Sequence, residues 1–247
     1  MSAWGGGHAC YPLDVTDAPA LHDAATDFMQ RFGAPHIVIA NAGVSAGTLT
    51  ECEEDLAVFR RVMDTNVFGM AATFAPFIPA MRAAGGERRL AGIASVAGIR
   101  GLPGAEAYSA SKAAAIAYLE SLRLEMRPYG IPVVTIAPGY IETPMTAINP
   151  YRMPFLLPAD EAARRMARAI ERGVKHDGVA RRRRRHRLDA MAAGGERLQR
   201  GQRLIEVIAE NDQCLVVGTI TTCRYFAFSF FFSYRGGDRA SLIFQRD

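Results

Sequence analysis

The stretch that most constrains this chain runs from Ser95 to Lys112, SVAGIRGLPGAEAYSASK, and continues as AAAIAYLESLRLEM. The continuation is rich in Ala and Leu and contains no Gly or Pro, so it predicts a helix. Residues four apart share one face of a helix, which stacks Tyr108 and Lys112 one turn apart. An ammonium that close to a phenol favours the phenolate and lowers a phenol's pKa. A phenol tuned in this way can pass a proton to or from a carbonyl or alcohol oxygen.

Three apolar runs, HIVIA, LAGIAS and VVTIA, predict buried parallel strands of an α/β fold. Open sheets of this kind hold their ligands at the carboxyl ends of the strands. The residues at those ends are small or polar: Asn41-Ala42-Gly43, Ser95 and Pro138-Gly139. One further polar residue, Asn66 in DTNVFG, lies in the middle of a predicted helix, where a buried amide needs a hydrogen-bond partner.

In order and spacing, these motifs resemble the short-chain dehydrogenase/reductase family, and the resemblance covers roughly Tyr11 to Glu171. It implies a Rossmann-like three-layer α/β sandwich around a parallel sheet. It also implies reversible hydride transfer between NAD or NADP and a small-molecule carbonyl or alcohol. The residue that normally separates NAD from NADP follows a strand that this sequence lacks, so the cofactor preference is not predicted.

The resemblance assigns roles to four residues of the candidate active site. Tyr108 is the implied acid/base, and Lys112 lowers its pKa and binds the nicotinamide ribose. Ser95 holds the substrate oxygen, and Asn66 anchors a water that relays protons. A buried Asn66 bonded to a neighbouring carbonyl would satisfy its amide equally well.

The resemblance also implies cofactor contacts along one edge of the sheet. Asp14-Val15 matches the adenine-contacting position, although the same segment is typical of a helix start capped by Thr16 or Asp17. The triplet from Asn41 could form a plain turn as well as a cofactor-lining one. The remaining implied cofactor contacts are Asn41, Ala42, Gly43, Tyr108, Lys112, Pro138, Gly139, Ile141 and Thr143.

The glycine-rich turn Thr-Gly-x-x-x-Gly-x-Gly, which holds the pyrophosphate in the family, does not occur in the sequence. The prediction is therefore a fold that lacks its first βαβ unit, with weak dinucleotide binding and impaired turnover. In the family's strand order this leaves the edge of HIVIA bare. Three outcomes are open: the segment ACYPLD moves beside HIVIA, it frays, or the late runs VVGTITT and FAFSFFF fill the gap.

The composition changes beyond residue 178, which predicts a domain over 1–178 and an atypical, poorly ordered extension over 179–247. The run RRRRRHR at 181–187 accounts for more than the whole formal charge of +4, so no general basic surface and no specific nucleic-acid binding is expected. The four cysteines show no metal-ligand spacing, and no metal site is predicted. The late apolar runs are too short to span a membrane, and the N-terminus does not resemble a secretory signal, so a cytoplasmic location is expected.

Two long helices, 51–84 and 107–127, are apolar around much of their circumference, and the first opens with a capping-box pattern at Thr50 to Glu53. In the family this pair forms an interface between copies, so a homo-oligomer is expected. The alternative to an enzyme is a non-catalytic remnant of the family that acts as a dimerising interaction module.

Overall fold

The computed structural model describes residues 9–147, 153, 156–174, 214–217, 231–233 and 241–243. Its main sheet has four parallel strands in the order β3-β2-β1-β4. They are β1 (Ile37–Ala40), β2 (Arg89–Ile93), β3 (Val133–Ile136) and β4 (Cys214–Val217). The first three lie where the apolar runs predict them, so the predicted parallel α/β sheet is confirmed.

The edge of β1 that the sequence leaves without a partner is covered by β4. The two strands run parallel, with Ile37 opposite Cys214 and Ala40 opposite Val217. Residues 9–14, by contrast, form no strand. Of the three outcomes left open by the sequence, the structure therefore shows the third only in part. β4 contains Val216 and Val217, the first residues of VVGTITT, whereas Phe231 and Phe232 of FAFSFFF pair with residues 242–243 and not with β1. β4 comes from beyond the predicted domain boundary at residue 178.

Seven helices flank the sheet in the described part of the chain. The helix predicted over 107–127 is α5, which begins one residue earlier, at Glu106. The helices are α1 (Ala18–Phe32), α2 (Asp55–Met63), α3 (Gly69–Phe74), α4 (Ile78–Ala84), α5 (Glu106–Met126), α6 (Pro144–Ala147) and α7 (Ala159–Glu171).

Alternate residues of each strand point to opposite faces of the sheet, and each face has its own core. On one face, Val38 and Leu90 pack with side chains of α1, α3, α4 and α5. On the other, Ile39 and Val134 pack with Ile170 of α7. This arrangement confirms the predicted three-layer sandwich, with helices on both sides of the sheet.

The helix predicted over 51–84 begins later than its capping-box pattern indicates. The capping box is wrong: α2 starts at Asp55, and its N-cap residue Glu54 makes no side-chain bond to the helix. The Thr50 hydroxyl instead donates to a carboxylate oxygen of Glu106 at 3.0 Å, and the Asp55 carboxylate accepts from the amide of Leu49. A bond to a distant segment and a bond to the preceding turn therefore take the place of the predicted capping box.

The same long segment is interrupted twice. A π-helical turn at Asp64–Phe68 separates α2 from α3, and a non-helical break at 75–77, which contains Pro76, separates α3 from α4. By length and composition alone, Asp55–Ala84 could cross a membrane. Its buried residues, among them Met70, Phe74 and Met81, pack in the core.

The structure defines the start of α1 and the end of α7. Asp17 caps α1 by accepting from the amide of Ala20, which settles the choice between Thr16 and Asp17. Helix α7 ends before Gly173, whose φ of +51° is typical of a helix stop. Most of the predicted extension over 179–247, including the arginine run, lies outside the described residues. Within it, β5 (Phe231–Ser233) and β6 (Ser241–Ile243) pair antiparallel.

Candidate active site

The candidate site lies at the carboxyl edge of the parallel sheet, where three strands end side by side. Asn41 directly follows β1, Ser95 lies two residues beyond β2, and Pro138 lies two residues beyond β3. The amide of Val96 donates to the Pro138 carbonyl at 3.0 Å, which joins the loops after β2 and β3. Because the strands are parallel and in register, these segments meet at one edge of the molecule.

Ser95 is held in a fixed orientation at this edge. Its backbone is extended, it is nearly buried, and its Oγ accepts from the amide of Ala97 at 3.1 Å. That bond caps a short 3₁₀ turn over Val96–Gly98. A hydroxyl that accepts one hydrogen bond can still donate its own proton, so Ser95 can offer a donor to a ligand oxygen.

Lys112 reaches the same edge from α5. Its side chain is buried, and Nζ donates to the carbonyl of Ile93, the last residue of β2, at 2.9 Å. Nζ also lies 5.8 Å from the centre of the Tyr108 ring. The phenol and the ammonium therefore share one face of α5, as the sequence predicts, and that face looks toward the strand end that precedes Ser95.

Burial changes the chemistry of this lysine. Desolvation of the ammonium lowers the pKa of Lys112 from 10.5 to about 8. The group is still largely protonated at neutral pH, and it loses its charge under mildly basic conditions. A buried charge this close to an aromatic ring acts strongly on its surroundings because little water screens it.

Gly98 explains how the turn after Ser95 packs so closely on α5. A Cβ at this position would lie 2.4 Å from the backbone carbon of Lys112. Only a glycine allows that approach, since a backbone atom cannot move aside as a flexible side chain can. The glycine thus brings the Ser95 turn and the turn bearing Lys112 together.

Asn66 is fully buried and lies in the π-helical turn between α2 and α3. Its Oδ1 accepts from the amide of Val44 at 2.8 Å, and its Nδ2 donates to the carbonyl of Val44 at 2.9 Å. Nδ2 also donates to Ser111 Oγ at 2.9 Å. The amide is therefore satisfied, as expected for a buried Asn, and it ties the loop after β1 to the helix that carries Tyr108.

Ser111 is a site residue that sequence reasoning missed. It is fully buried, accepts from Asn66 and donates to the carbonyl of Tyr108 at 2.8 Å. The available signal was a Ser between Tyr108 and Lys112 on an otherwise Ala-rich helix, where a buried hydroxyl needs partners.

The predicted triplet Asn41-Ala42-Gly43 also lies at the centre of this arrangement. A Cβ on Gly43 would lie 3.2 Å from Asn66 Oδ1 and 3.3 Å from Lys112 Nζ. All three residues of the triplet are partly exposed, and so are Pro138 and Gly139 across the edge. Among the described residues, no atom would lie within 4 Å of a Cβ placed on Gly139.

The other predicted cofactor contacts differ in exposure: Asp14 is exposed, Ile141 and Thr143 are partly exposed, and Val15 is buried. Ile141 pairs with Leu157 in an isolated bridge, and the hydroxyls of Thr143 and Thr146 lie 3.2 Å apart at the start of α6. Asp14 accepts from the amide and hydroxyl of Thr16, both at 2.8 Å. Val15 is fully buried, and a Cβ on the facing Gly69 would approach its side chain to 2.7 Å. In this structure Val15 therefore offers no exposed surface to a ligand.

The arrangement can support proton transfer at a carbonyl or alcohol oxygen. Ser95 supplies a fixed donor, Tyr108 an ionisable phenol, and Lys112 a buried charge beside that phenol. Within the described residues no cluster of His, Cys, Asp and Glu could hold a metal ion.

The known proteins that resemble this chain, by sequence and by structure, are dehydrogenases or oxidoreductases. The family profile described as short chain dehydrogenase matches residues 3–151. An uncharacterized oxidoreductase of Myxococcus xanthus is 40% identical over 163 residues, covering 65% of this chain and 63% of that protein. The 2-dehydro-3-deoxy-L-rhamnonate dehydrogenase (NAD(+)) of a Sphingomonas species is 36% identical, covering 54% of this chain and 53% of that protein.

A solved structure, a short-chain dehydrogenase from Streptomyces avermitilis, superposes with a TM-score of 0.50 at 33% identity, covering 54% of this chain and 48% of that one. The chain therefore spans less than two thirds of the length of the relatives described here.

Proposed function

This chain belongs to the short-chain dehydrogenase family, and from that premise we propose that it transfers hydride reversibly between a nicotinamide dinucleotide and a carbonyl or alcohol. One observation carries the proposal. The buried Lys112 ammonium lies 5.8 Å from the Tyr108 ring centre and bonds the strand end that leads to Ser95. This juxtaposition joins an acid/base, a charge that tunes it and a hydroxyl donor.

The cofactor itself would supply the hydride when bound. Gly43 supports a place for its nicotinamide end, because a methyl group there would crowd Asn66 and Lys112, whereas glycine leaves room beside them. The Lys112 ammonium would bind a ribose hydroxyl of the dinucleotide at this edge. The exposed backbone of Asn41 and Gly139 would line the same crevice.

The protein's own residues move the proton. Ser95 donates a hydrogen bond to the substrate oxygen and holds it toward α5. Tyr108 donates its phenolic proton to that oxygen during reduction and takes it back during oxidation. Lys112 stabilises the phenolate that remains, because an ammonium in a poorly hydrated position favours the nearby anion.

The loop between Ser95 and Tyr108 exposes apolar side chains, which favours an apolar substrate. Ile99 and Leu102 lie between Ser95 and Tyr108 in the chain, and they expose 44% and 37% of their surface. Most of the segment 147–158, which follows the predicted cofactor contact Thr143, lies outside the described residues. The exposed side chains alone therefore support an apolar or bulky carbonyl compound as the substrate class.

Weak dinucleotide binding is part of the proposal. The sequence contains no glycine-rich pyrophosphate turn, and backbone amides of that turn are a strong source of dinucleotide affinity in Rossmann folds. Deuteride transfer from a labelled reduced nicotinamide to an apolar ketone, detected by mass spectrometry, tests the chemistry. Calorimetric titration with each dinucleotide tests the affinity separately.

Appearance of deuterium on the carbinol carbon supports the proposed reaction. Its absence at saturating dinucleotide would refute the reaction, and calorimetry would show whether saturation was reached. A dissociation constant of micromolar order or tighter would refute weak binding alone, whatever the deuterium result.

A further inference from the structure

Helix α5 lacks a cap from its own sequence. The residue before it, Ala105, has no side chain that can accept from the first amides of the helix. The first turn of any α-helix leaves such amides without intrahelical partners, and they are usually bonded by a Ser, Thr, Asp or Asn at that position. In α5 this turn contains Ala107 and Tyr108, so the missing cap lies at the candidate active site.

A threonine from another segment takes that place. The Thr48 hydroxyl oxygen accepts from the amide of Ala107 at 3.1 Å, across a sequence separation of 59 residues. Thr48 is 2% exposed, its amide donates to the carbonyl of Gly104 at 3.2 Å, and it forms a parallel bridge with Ala105. The hydroxyl is thus held rigidly at the start of α5.

The loop that contains Thr48 is fixed at its other end by Asn66. Both the amide and the carbonyl of Val44 bond the Asn66 side chain. The segment 44–48 is therefore fastened to the π-helical turn at one end and to α5 at the other. It directly follows Asn41-Ala42-Gly43, so the triplet and the first turn of α5 are joined through it.

We propose that Thr48 is a positioning residue that caps α5 from the loop after β1 and so fixes the turn carrying Tyr108 against the Asn41-Ala42-Gly43 triplet. The kinetic consequence rests on the proposed function, whereas the cap itself does not. Loss of the hydroxyl frees the Ala107 amide, and the first turn of α5, with Tyr108 as the next residue, becomes free to shift. A shift of about an ångström at a reacting group can cost up to a hundredfold in rate.

The experiment compares Thr48→Val, which keeps the shape and removes the acceptor, with Thr48→Ser, which keeps the acceptor. Thr73→Val is the matched control, because Thr73 is equally buried at 1% exposure and its hydroxyl donates to the Gly69 carbonyl of its own helix. Two readouts are taken on the full chain: amide hydrogen exchange at Ala107, and kcat and KM for ketone reduction.

In Thr48→Val we expect exchange at Ala107 to quicken about fivefold, the scale of a lost cap. We expect kcat to fall about tenfold with little change in the KM for the ketone. Thr48→Ser should restore both, and Thr73→Val should leave both unchanged.

Unchanged exchange in Thr48→Val would overturn the cap. Faster exchange with unchanged kcat in an active enzyme would overturn the positioning role. If the unaltered chain shows no ketone reduction, the proposed function fails, and the exchange comparison alone then decides whether Thr48 caps α5.

Discussion

At the scale of single residues, Lys112 is the group whose burial has the largest energetic consequence. The residue is 4% exposed, its ammonium bonds the Ile93 carbonyl, and burial lowers its pKa to about 8. The unfolded chain keeps the ordinary value of 10.5, so it binds more protons than the folded chain between those two values. Stability therefore rises with pH across that window, and the full cost of the buried charge is present below it.

Replacement of Lys112 by Met should therefore stabilise the fold while removing a group that we propose acts in catalysis. After allowance for the lost bond to Ile93, the free energy of unfolding at about pH 7 should rise by roughly 2 kcal/mol. The gain should vanish above about pH 10, because there the folded lysine is neutral and the unfolded lysine, with its pKa of 10.5, is losing its proton as well. Urea unfolding of both chains at the two pH values measures it. An equal gain at both would show that burial of the charge is not its cause.

Gly98 permits a second prediction at this scale. A Cβ at Gly98 would lie 2.4 Å from the Lys112 backbone, whereas one at Gly101 would meet nothing within 4 Å. Gly98→Ala should therefore destabilise the protein by about 3 kcal/mol through forced separation of the two backbones. Gly101→Ala is the control and should change the free energy of unfolding by no more than about 0.5 kcal/mol. Similar values for the two variants would contradict the close approach of the Ser95 turn to α5.

At the scale of elements, the strands and the amphipathic helices could be predicted from the sequence, whereas the joints between them could not. Apolar runs located β1, β2 and β3 because parallel strands are buried on both faces. The π-helical turn around Asn66 was not predicted, because it depends on Val44 and Ser111, which come from distant segments. The same reason explains the failed capping box, where Glu106 bonds Thr50 from a distant part of the chain.

The pairing of β4 with β1 leads to a prediction at this scale. A proline in place of Val216 removes an amide from a strand that pairs with β1 residue for residue and fixes its φ. We expect loss of about 2–3 kcal/mol in the free energy of unfolding, and faster hydrogen exchange along Ile37–Ala40. Ser241→Pro, in the separate pair of β5 and β6, is the control and should leave exchange in β1 unaltered. Slow exchange at β1 in both variants would mean that β4 does not protect that edge.

At the scale of the whole molecule, several apolar side chains remain exposed on the two helical segments predicted to form an interface. Leu56 exposes 58% of its surface and Leu124 exposes 65%. The prediction of a homo-oligomer through helices 51–84 and 107–127 leads us to expect that Leu56→Glu and Leu124→Glu shift the chain toward monomer. Val174→Glu, just after α7, is the control. Sedimentation that is identical for all the chains would argue against this interface.

The position of the site could be predicted because it depends on local sequence patterns. The hydrogen bonds that join its parts could not be predicted, because they depend on packing between distant segments. Tyr108 and Lys112 share a helix, so their spacing in the sequence fixes their geometry. Ser95 follows an apolar run that is typical of a buried parallel strand. The cross-segment bonds of Thr48 and Ser111 depend on how separate elements pack, and no local pattern encodes that packing. Nor does any local pattern show that a strand from beyond residue 178 would pair with β1.

The central claim is that Tyr108 acts as the acid/base at this edge of the sheet, and ketone-dependent oxidation of reduced dinucleotide tests it most directly. Tyr118 lies on the same helix, and burial together with the nearby Glu125 raises its pKa to about 12, which makes it an ineffective acid near neutral pH. At millimolar cofactor, Tyr108→Phe should lower kcat/KM at least about a hundredfold, and Tyr118→Phe should leave it nearly unchanged. Equal rates in the unaltered chain and in Tyr108→Phe would contradict the account.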